Sequence, residues 1–162
     1  MAKIYYDQDA DLELIRAKKV AVVACMDARL IPARILGLEE GDAHVIRNAG
    51  GLVSEDALRS LVISHWLLGT QEALVIAHSD CGMLTFTNEQ LRQKLAEEGG
   101  ADASGIDFLP FPDLDESVRS SLRRIRESPL LPDSFTASGF VYEVGSGRLR
   151  EVALASAAGK PA

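Results

Sequence analysis

The sequence predicts an α/β domain: a mostly parallel central sheet flanked by helices, with an antiparallel edge strand near the C-terminus. Three observations carry this. Val20–Ala24 and Ala73–Ala77 are unbroken runs of small or branched apolar residues, the pattern of parallel strands buried on both faces. Segments with helix-capping signals alternate with such runs, as successive βα units require. Near the C-terminus, Gly145-Ser146-Gly147-Arg148 separates two strand-like segments, Phe140–Val144 and Leu149–Leu154, which is a hairpin signal.

Taken in order, Asp7–Ala17 carries Leu12 and Ile15 among charges, a short amphipathic helix in an N-terminal arm (1–17) whose weak apolar face needs a partner. Val20–Ala24 is the first strand. After a turn at Cys25–Arg29, Ile31–Gly37 reads as a short helix with Pro32 in its first turn and Gly37 as terminator. Ala43–Arg47 is the second strand. The following Asn48-Ala49-Gly50-Gly51 suits either a plain turn or a close backbone approach to a ligand. Ser54 caps the next helix, with Glu55 and Asp56 favourably placed in its first turn. Leu58, Leu61, Val62 and Trp66 form one face of that helix, while Ile63, Leu67 and Leu68 cover others. Apolar residues on so many sides imply burial from several directions, with a subunit interface as one source of cover.

Glu72–Ala77 is the third strand. Thr87 to Gln90 has capping-box spacing and opens a helix that stops at Gly99-Gly100. The loop to Pro112 holds Ile106, Phe108, Leu109 and Phe111, too apolar for a free linker, and is expected to dock. Asp113–Glu127 is a helix with a Val118, Leu122, Ile125 stripe, ended by Ser128-Pro129. The tail, 155–162, is expected to fray. No internal repeat or domain boundary interrupts the chain, so residues 1–162 are expected to form one domain.

Composition excludes several classes of function. With 162 residues, 47% of them hydrophobic, the chain can bury a core without staples. A net charge of −7 disfavours a nucleic-acid partner. No apolar run approaches the roughly 20 residues that cross a bilayer. The N-terminus lacks a basic stretch followed by an apolar one, so a cytoplasmic location is expected. In that compartment the two cysteines serve as ligands, redox groups or core residues rather than a disulfide.

Chemistry in open parallel sheets collects at the carboxyl ends of the strands. Cys25, Asp27 and Arg29 follow the first strand, and His78-Ser79-Asp80-Cys81-Gly82 follows the third. Alone, His78 and Cys81 also suit a hydrogen-bonded core histidine beside a core cysteine. If the two strands are neighbours, Cys25, His78 and Cys81 close around one metal ion. Two thiolates and an imidazole favour zinc, and three protein ligands leave a fourth position open, as in catalytic sites. Asp27 is placed to act either as a further ligand or as a hydrogen-bond acceptor, and Arg29 is able to hold its carboxylate through two parallel N–H bonds.

Three blocks, Cys25-Met26-Asp27-Ala28-Arg29, Arg47-Asn48-Ala49-Gly50-Gly51 and His78-Ser79-Asp80-Cys81-Gly82, resemble in order and separation the signature blocks of the β-class carbonic anhydrases. The resemblance spans roughly residues 18 to 155. It implies one zinc ion per chain on Cys25, His78 and Cys81, with Asp27 and Arg29 as a catalytic dyad. It also implies reversible hydration of carbon dioxide to bicarbonate, and a homodimer or higher homo-oligomer with the N-terminal helix on the neighbouring subunit. Backbone N–H groups around Gly50 and Gly51 are then candidates to hold a substrate oxygen, and His44 and His65 are candidate proton shuttles. Met26 and Ala28 depart from the serines frequent in the family, at positions that do not bind metal. Two other readings keep the same residues: hydrolysis of carbon disulfide or carbonyl sulfide on the same zinc site, and a non-catalytic zinc or redox-sensing module.

Overall fold

The computed structural model of the chain describes residues 4–5 and 19–154. A six-stranded sheet runs through it, made of β1 (Ile4–Tyr5), β2 (Val20–Cys25), β3 (Ala43–Asn48), β4 (Glu72–His78), β5 (Thr136–Glu143) and β6 (Arg148–Glu151). Its order is β1-β6-β5-β4-β2-β3. The four strands β3, β2, β4 and β5 are parallel, whereas β6 and β1 join antiparallel. The mostly parallel sheet and the C-terminal hairpin are as the sequence predicts. Outside the hairpin, the sheet gains β1, so Ile4–Tyr5 within the expected helical arm is extended backbone paired with β6. The expected Asp7–Ala17 helix and the 155–162 tail lie outside the described residues.

Four helices of more than one turn flank the sheet among the described residues: α1 (Pro32–Leu36), α2 (Glu55–Leu68), α3 (Asn88–Gly99) and α4 (Leu114–Arg126). Alternation along the buried strands divides the core in two. Ala21, Val23, Ala73, Val75 and Ala77 meet Leu61 of α2 and Val118, Leu122 and Ile125 of α4 on one face. Val22, Ala24, Leu74 and Ile76 meet Leu30, Ile35, Leu36 and Met83 on the other. From β2 the chain crosses one way to β3, through α1 on one face. From β4 it crosses the other way to β5, through α4 on the opposite face. The connections therefore diverge between β2 and β4. The crevice at their carboxyl ends is where such sheets bind ligands.

Boundaries differ from the sequence reading in informative places. β2 and β4 each run one residue beyond their apolar runs, so Cys25 and His78 are themselves the last residues of their strands. β5 begins at Thr136, four positions before Phe140, because small residues there admit α4. A Cβ on Gly139 would strike Val118 Cγ1 and lie 2.8 Å from Leu122 Cδ1. β6 ends at Glu151 rather than Leu154.

Helix α2 departs most from expectation. Ser54 caps it and Gly69 ends it as predicted, yet its burial is one-sided, through Ala57, Leu61 and Ser64. Ile63, Trp66, Leu67 and Leu68 are exposed in the single chain, Leu67 at 76%. The expected cover from several sides is therefore not supplied by this chain's own described residues. In the apolar loop, Phe111 packs on the core while Ile106 and Leu109 are exposed. Docking of that loop on its own domain is thus partial.

Candidate metal centre and active site

Parallel register brings the two strand ends together. Ala24 pairs with Ile76, so Cys25 and His78 lie at nearly the same height on adjacent strands. A tight turn, with Asp80 in the left-handed region at φ 56°, returns the chain so that Cys81 joins them. The ligand atoms of Cys25, His78 and Cys81 all lie within 4.8 Å of one another, and all three residues are buried. The neighbourhood that sequence spacing left conditional is therefore present.

His78 is the most informative of the three. It is fully buried, and its Nδ1 lies 2.8 Å from the Ser79 carbonyl. A carbonyl only accepts, so Nδ1 carries the hydrogen, and the ring in its neutral, metal-ligating form presents its lone pair at Nε2. That Nε2 is the buried side-chain nitrogen or oxygen without a hydrogen-bond partner among the described residues. A buried polar atom left open is costly, and here the open lone pair faces two sulfurs. This donor set fits a divalent cation, zinc best, and the carbonyl that orients the ring is the usual support for a metal-ligating histidine.

Each thiol has its own surroundings. The Cys25 thiol is pushed well down, first by the hydrogen bond from Cys81, and also by His78 and the backbone N–H groups of Asp27 and Gly50. Cys81 is pushed up, first by the same bond and then by burial. Two thiols sharing one proton behave in this way, with a thiolate favoured at Cys25. The backbone N–H of Gly50 thus lies on the sulfur side of the turn. Gly51 is wedged between the strands. A Cβ there would sit 2.7 Å from the Cys25 nitrogen and 2.9 Å from the Ile76 oxygen, so only glycine lets this turn close over β2 and β4.

Asp27 and Arg29 form the expected fork. Arg29 donates from Nε to Asp27 Oδ1 at 3.0 Å and from Nη2 to Oδ2 at 2.8 Å. Its backbone N–H donates to Oδ1 at 2.9 Å. These bonds hold the Asp27 carboxyl well below the usual carboxylate range. Asp27 Oδ2 lies 3.8 Å from His78 Nε2, so the carboxylate borders the three-ligand group while both its oxygens are engaged by Arg29.

Three supporting residues escaped the sequence reading, although all stood in the quoted blocks. Arg47 donates from Nη2 to the carbonyls of Cys25 at 2.9 Å and Asp27 at 2.7 Å, clamping the turn from β3. Asn48 staples the glycine turn by exchanging bonds with both backbone groups of Leu52. Asp80 takes Arg29 Nη1 on its carboxylate at 2.7 Å and Nη2 on its carbonyl at 3.0 Å. The signal for Arg47 was its polarity at a strand end. Asp80 gave none beyond lying between two ligands.

His44 and His65, the candidate shuttles, are elsewhere. His44 pairs with Ala21, four residues before Cys25, which is about 13 Å along a strand. His65 Nδ1 bonds the Thr70 carbonyl just before β4. Both sit toward the amino end of the sheet, away from the three ligands.

The chain matches the family model described as carbonic anhydrase over residues 20–104. It is 48% identical over 138 residues to β-carbonic anhydrase 1 of Mycobacterium tuberculosis, covering 84% of this chain and 83% of that protein. The chain belongs to the β-carbonic anhydrase family. A carbonic anhydrase from Streptococcus mutans superposes on it with a TM-score of 0.80 at 51% identity, covering 83% of this chain and 81% of the other. The chain is also similar to proteins of a different name. A carbon disulfide hydrolase from Acidianus is 34% identical over 157 residues, covering 83% of this chain and 77% of its own length. Membership in the β-carbonic anhydrase family thus accords with the fold and with a metal-competent Cys25, His78, Cys81 group.

Proposed function

We propose that this chain is a lyase that interconverts carbon dioxide and bicarbonate, with one zinc ion per chain held by Cys25, His78 and Cys81. The observation that carries the reading is the buried, unpartnered Nε2 of His78, set among two sulfurs and 3.8 Å from a carboxylate that an arginine holds. When bound, zinc supplies Lewis acidity and makes water a nucleophile at moderate pH.

The protein's own groups do the rest. The N–H groups of Asp27 and Gly50 stabilise the Cys25 thiolate, and the Ser79 carbonyl fixes the His78 tautomer. Asp27, fully ionised because Arg29 holds its carboxyl low, is an acceptor and never a donor here. It receives a hydrogen bond from the attacking oxygen and so turns that oxygen's lone pair toward carbon. Met83 and Phe111 press against the Gly50 turn and give this side an apolar wall suited to a small uncharged substrate. Gly50 and Gly51 then act as the backbone floor of the pocket.

Residues 1–162 are proposed to act as one domain, in the cytoplasm and as a homodimer or larger homo-oligomer. Support for assembly comes from the exposed Ile63, Trp66, Leu67 and Leu68 at the end of α2, with Val45 exposed on the edge strand β3. A second reading, carbon disulfide hydrolysis on the same residues, is favoured by the 34%-identical relative of that name. Stopped-flow assays with carbon dioxide, carbonyl sulfide and carbon disulfide on zinc-quantified protein separate the two. Carbon dioxide is expected to turn over fastest by far. Preference for either sulfur gas transfers the assignment, and inactivity toward all three at full zinc occupancy refutes both.

A further inference from the structure

We infer that Asp80 is a positioning residue that keeps Asp27 out of the metal's fourth coordination position by anchoring Arg29 to the loop that carries two of the three ligands. The inference rests on the proposed zinc site and concerns a residue to which neither the sequence reading nor the family comparison assigns a role.

The Asp27–Arg29 fork is rigid within itself, because two parallel N–H bonds fix one group against the other. Both residues, however, lie in the same turn after β2, only two positions apart. The fork therefore fixes their mutual geometry without fixing where the pair stands relative to His78 and Cys81. Asp80 supplies the missing tie. Its carboxylate accepts from Nη1 at 2.7 Å and its carbonyl from Nη2 at 3.0 Å, so both ends of one residue grip a single guanidinium.

The Asp80 side chain is 79% exposed, and exposed ion pairs contribute little to stability, so the role inferred for it is one of position rather than of stability. Asp80 also holds a left-handed backbone at φ 56°, a conformation aspartate tolerates better than most side chains. That conformation turns its carbonyl and carboxylate together toward Arg29 while the chain continues to Cys81. Meanwhile Asp27 Oδ2 stands 3.8 Å from His78 Nε2. A carboxylate coordinates zinc at roughly 2.0–2.2 Å, so a modest shift of an unanchored fork brings Asp27 into the open position.

The test uses the full chain with cobalt in place of zinc, titrated with azide and followed by its visible spectrum, alongside carbon dioxide kinetics on the zinc form. Asp80→Gly removes the carboxylate and accommodates the left-handed backbone, and Asp80→Asn keeps an acceptor for Nη1. Asp80→Gly is expected to bind azide about 10- to 100-fold more weakly, the usual range for loss of an outer-shell partner, because Asp27 competes for the same position. Removing a negative charge would alone strengthen anion binding, so the expected direction opposes the simple electrostatic effect. Adding Asp27→Ala to Asp80→Gly is expected to restore azide affinity, and Asp80→Asn to stay within a few-fold of wild type. In the zinc enzyme, Asp80→Gly is expected to lower kcat with little change in KM. Azide affinity that is unchanged or tighter in Asp80→Gly overturns the inference. So does weakening that Asp27→Ala fails to reverse, or an Asp80→Asn variant as impaired as Asp80→Gly. Should wild type fail to hydrate carbon dioxide, the functional reading falls while the azide titration still decides the role of Asp80.

Discussion

The two ends of the sheet both bury polar side chains, and they treat them in opposite ways. At the amino end, Ser64 and Thr70 are 4% and 0% exposed, yet both hydroxyls have partners. His44 Nδ1 lies 2.7 Å from Ser64 Oγ, Ser64 Oγ 2.6 Å from Thr70 Oγ1, and His65 Nδ1 2.6 Å from the Thr70 carbonyl. At the carboxyl end, His78 is equally buried but leaves Nε2 open toward two thiols. A closed network specifies structure, while an open lone pair among soft donors specifies a ligand. Three histidines occur in this chain, and this contrast sorts the candidate metal ligand from the other two.

The largest effects are expected where the open end is broken. Wild-type protein should carry about one zinc per chain, since one such set of three ligands is found among the described residues. His78→Ala and Cys81→Ala should each lose most of that zinc by elemental analysis and fall to background in carbon dioxide hydration. Full occupancy in either variant contradicts the site.

Next in size is Asp27→Asn. It should keep zinc but lose about 10²- to 10⁴-fold in kcat, the range for a positioned proton-handling group, because the amide can turn an N–H where an acceptor is needed. The pH dependence sharpens this. Arg29 depresses the Asp27 carboxyl, so its charge persists as pH falls through the ordinary carboxylate range. Loss of activity on mild acidification should therefore not follow Asp27 titration. Two thiolates would cancel the charge of a divalent cation held there, so water on it would ionise less readily than at a site of neutral ligands. Activity should be low near pH 6 and rise through the mildly alkaline range. A rate profile of Asp27→Asn that overlays wild type at matched zinc would remove the dyad from the mechanism.

A smaller effect is expected at the exposed end of α2. Leu67→Glu, at a residue 76% exposed in the single chain, should leave the monomer fold intact and shift sedimentation toward smaller species. An unchanged assembly state would place the interface elsewhere. The smallest effect on chemistry belongs to the closed end. Ser64→Ala should cost about 1–3 kcal/mol in denaturant unfolding, with zinc content and kcat within about twofold of wild type.

The sequence made the open end far more legible than the closed one, for a physical reason. Strands buried on both faces announce themselves as apolar runs, and the residues that follow them are displayed at one edge by the topology. Cys25, His78, Cys81, Asp27 and Arg29 could therefore be named before any coordinate. The partner contacts could not. Whether His44 or His65 is satisfied depends on Ser64 and Thr70, so the sequence left both open between a proton shuttle and a structural role. Asp80 gains its role only because Arg29 reaches across from another strand. The start of β5 was obscured because Thr136-Ala137-Ser138-Gly139 is shaped by the approach of α4, not by strand propensity. The apolar end of α2 was read as needing cover from several sides, and in the single chain Ile63, Trp66, Leu67 and Leu68 are exposed.

The contrast between the ends is tested most directly by nitrogen NMR of protein labelled at its three histidines, recorded while zinc is added to the metal-free chain. The account predicts that the Nε2 resonance of His78 alone moves to the value of a metal-bound nitrogen, saturating at one zinc per chain, while the ring nitrogens of His44 and His65 stay in place. Saturation with His78 unmoved, or with His44 or His65 shifting in its stead, would contradict it.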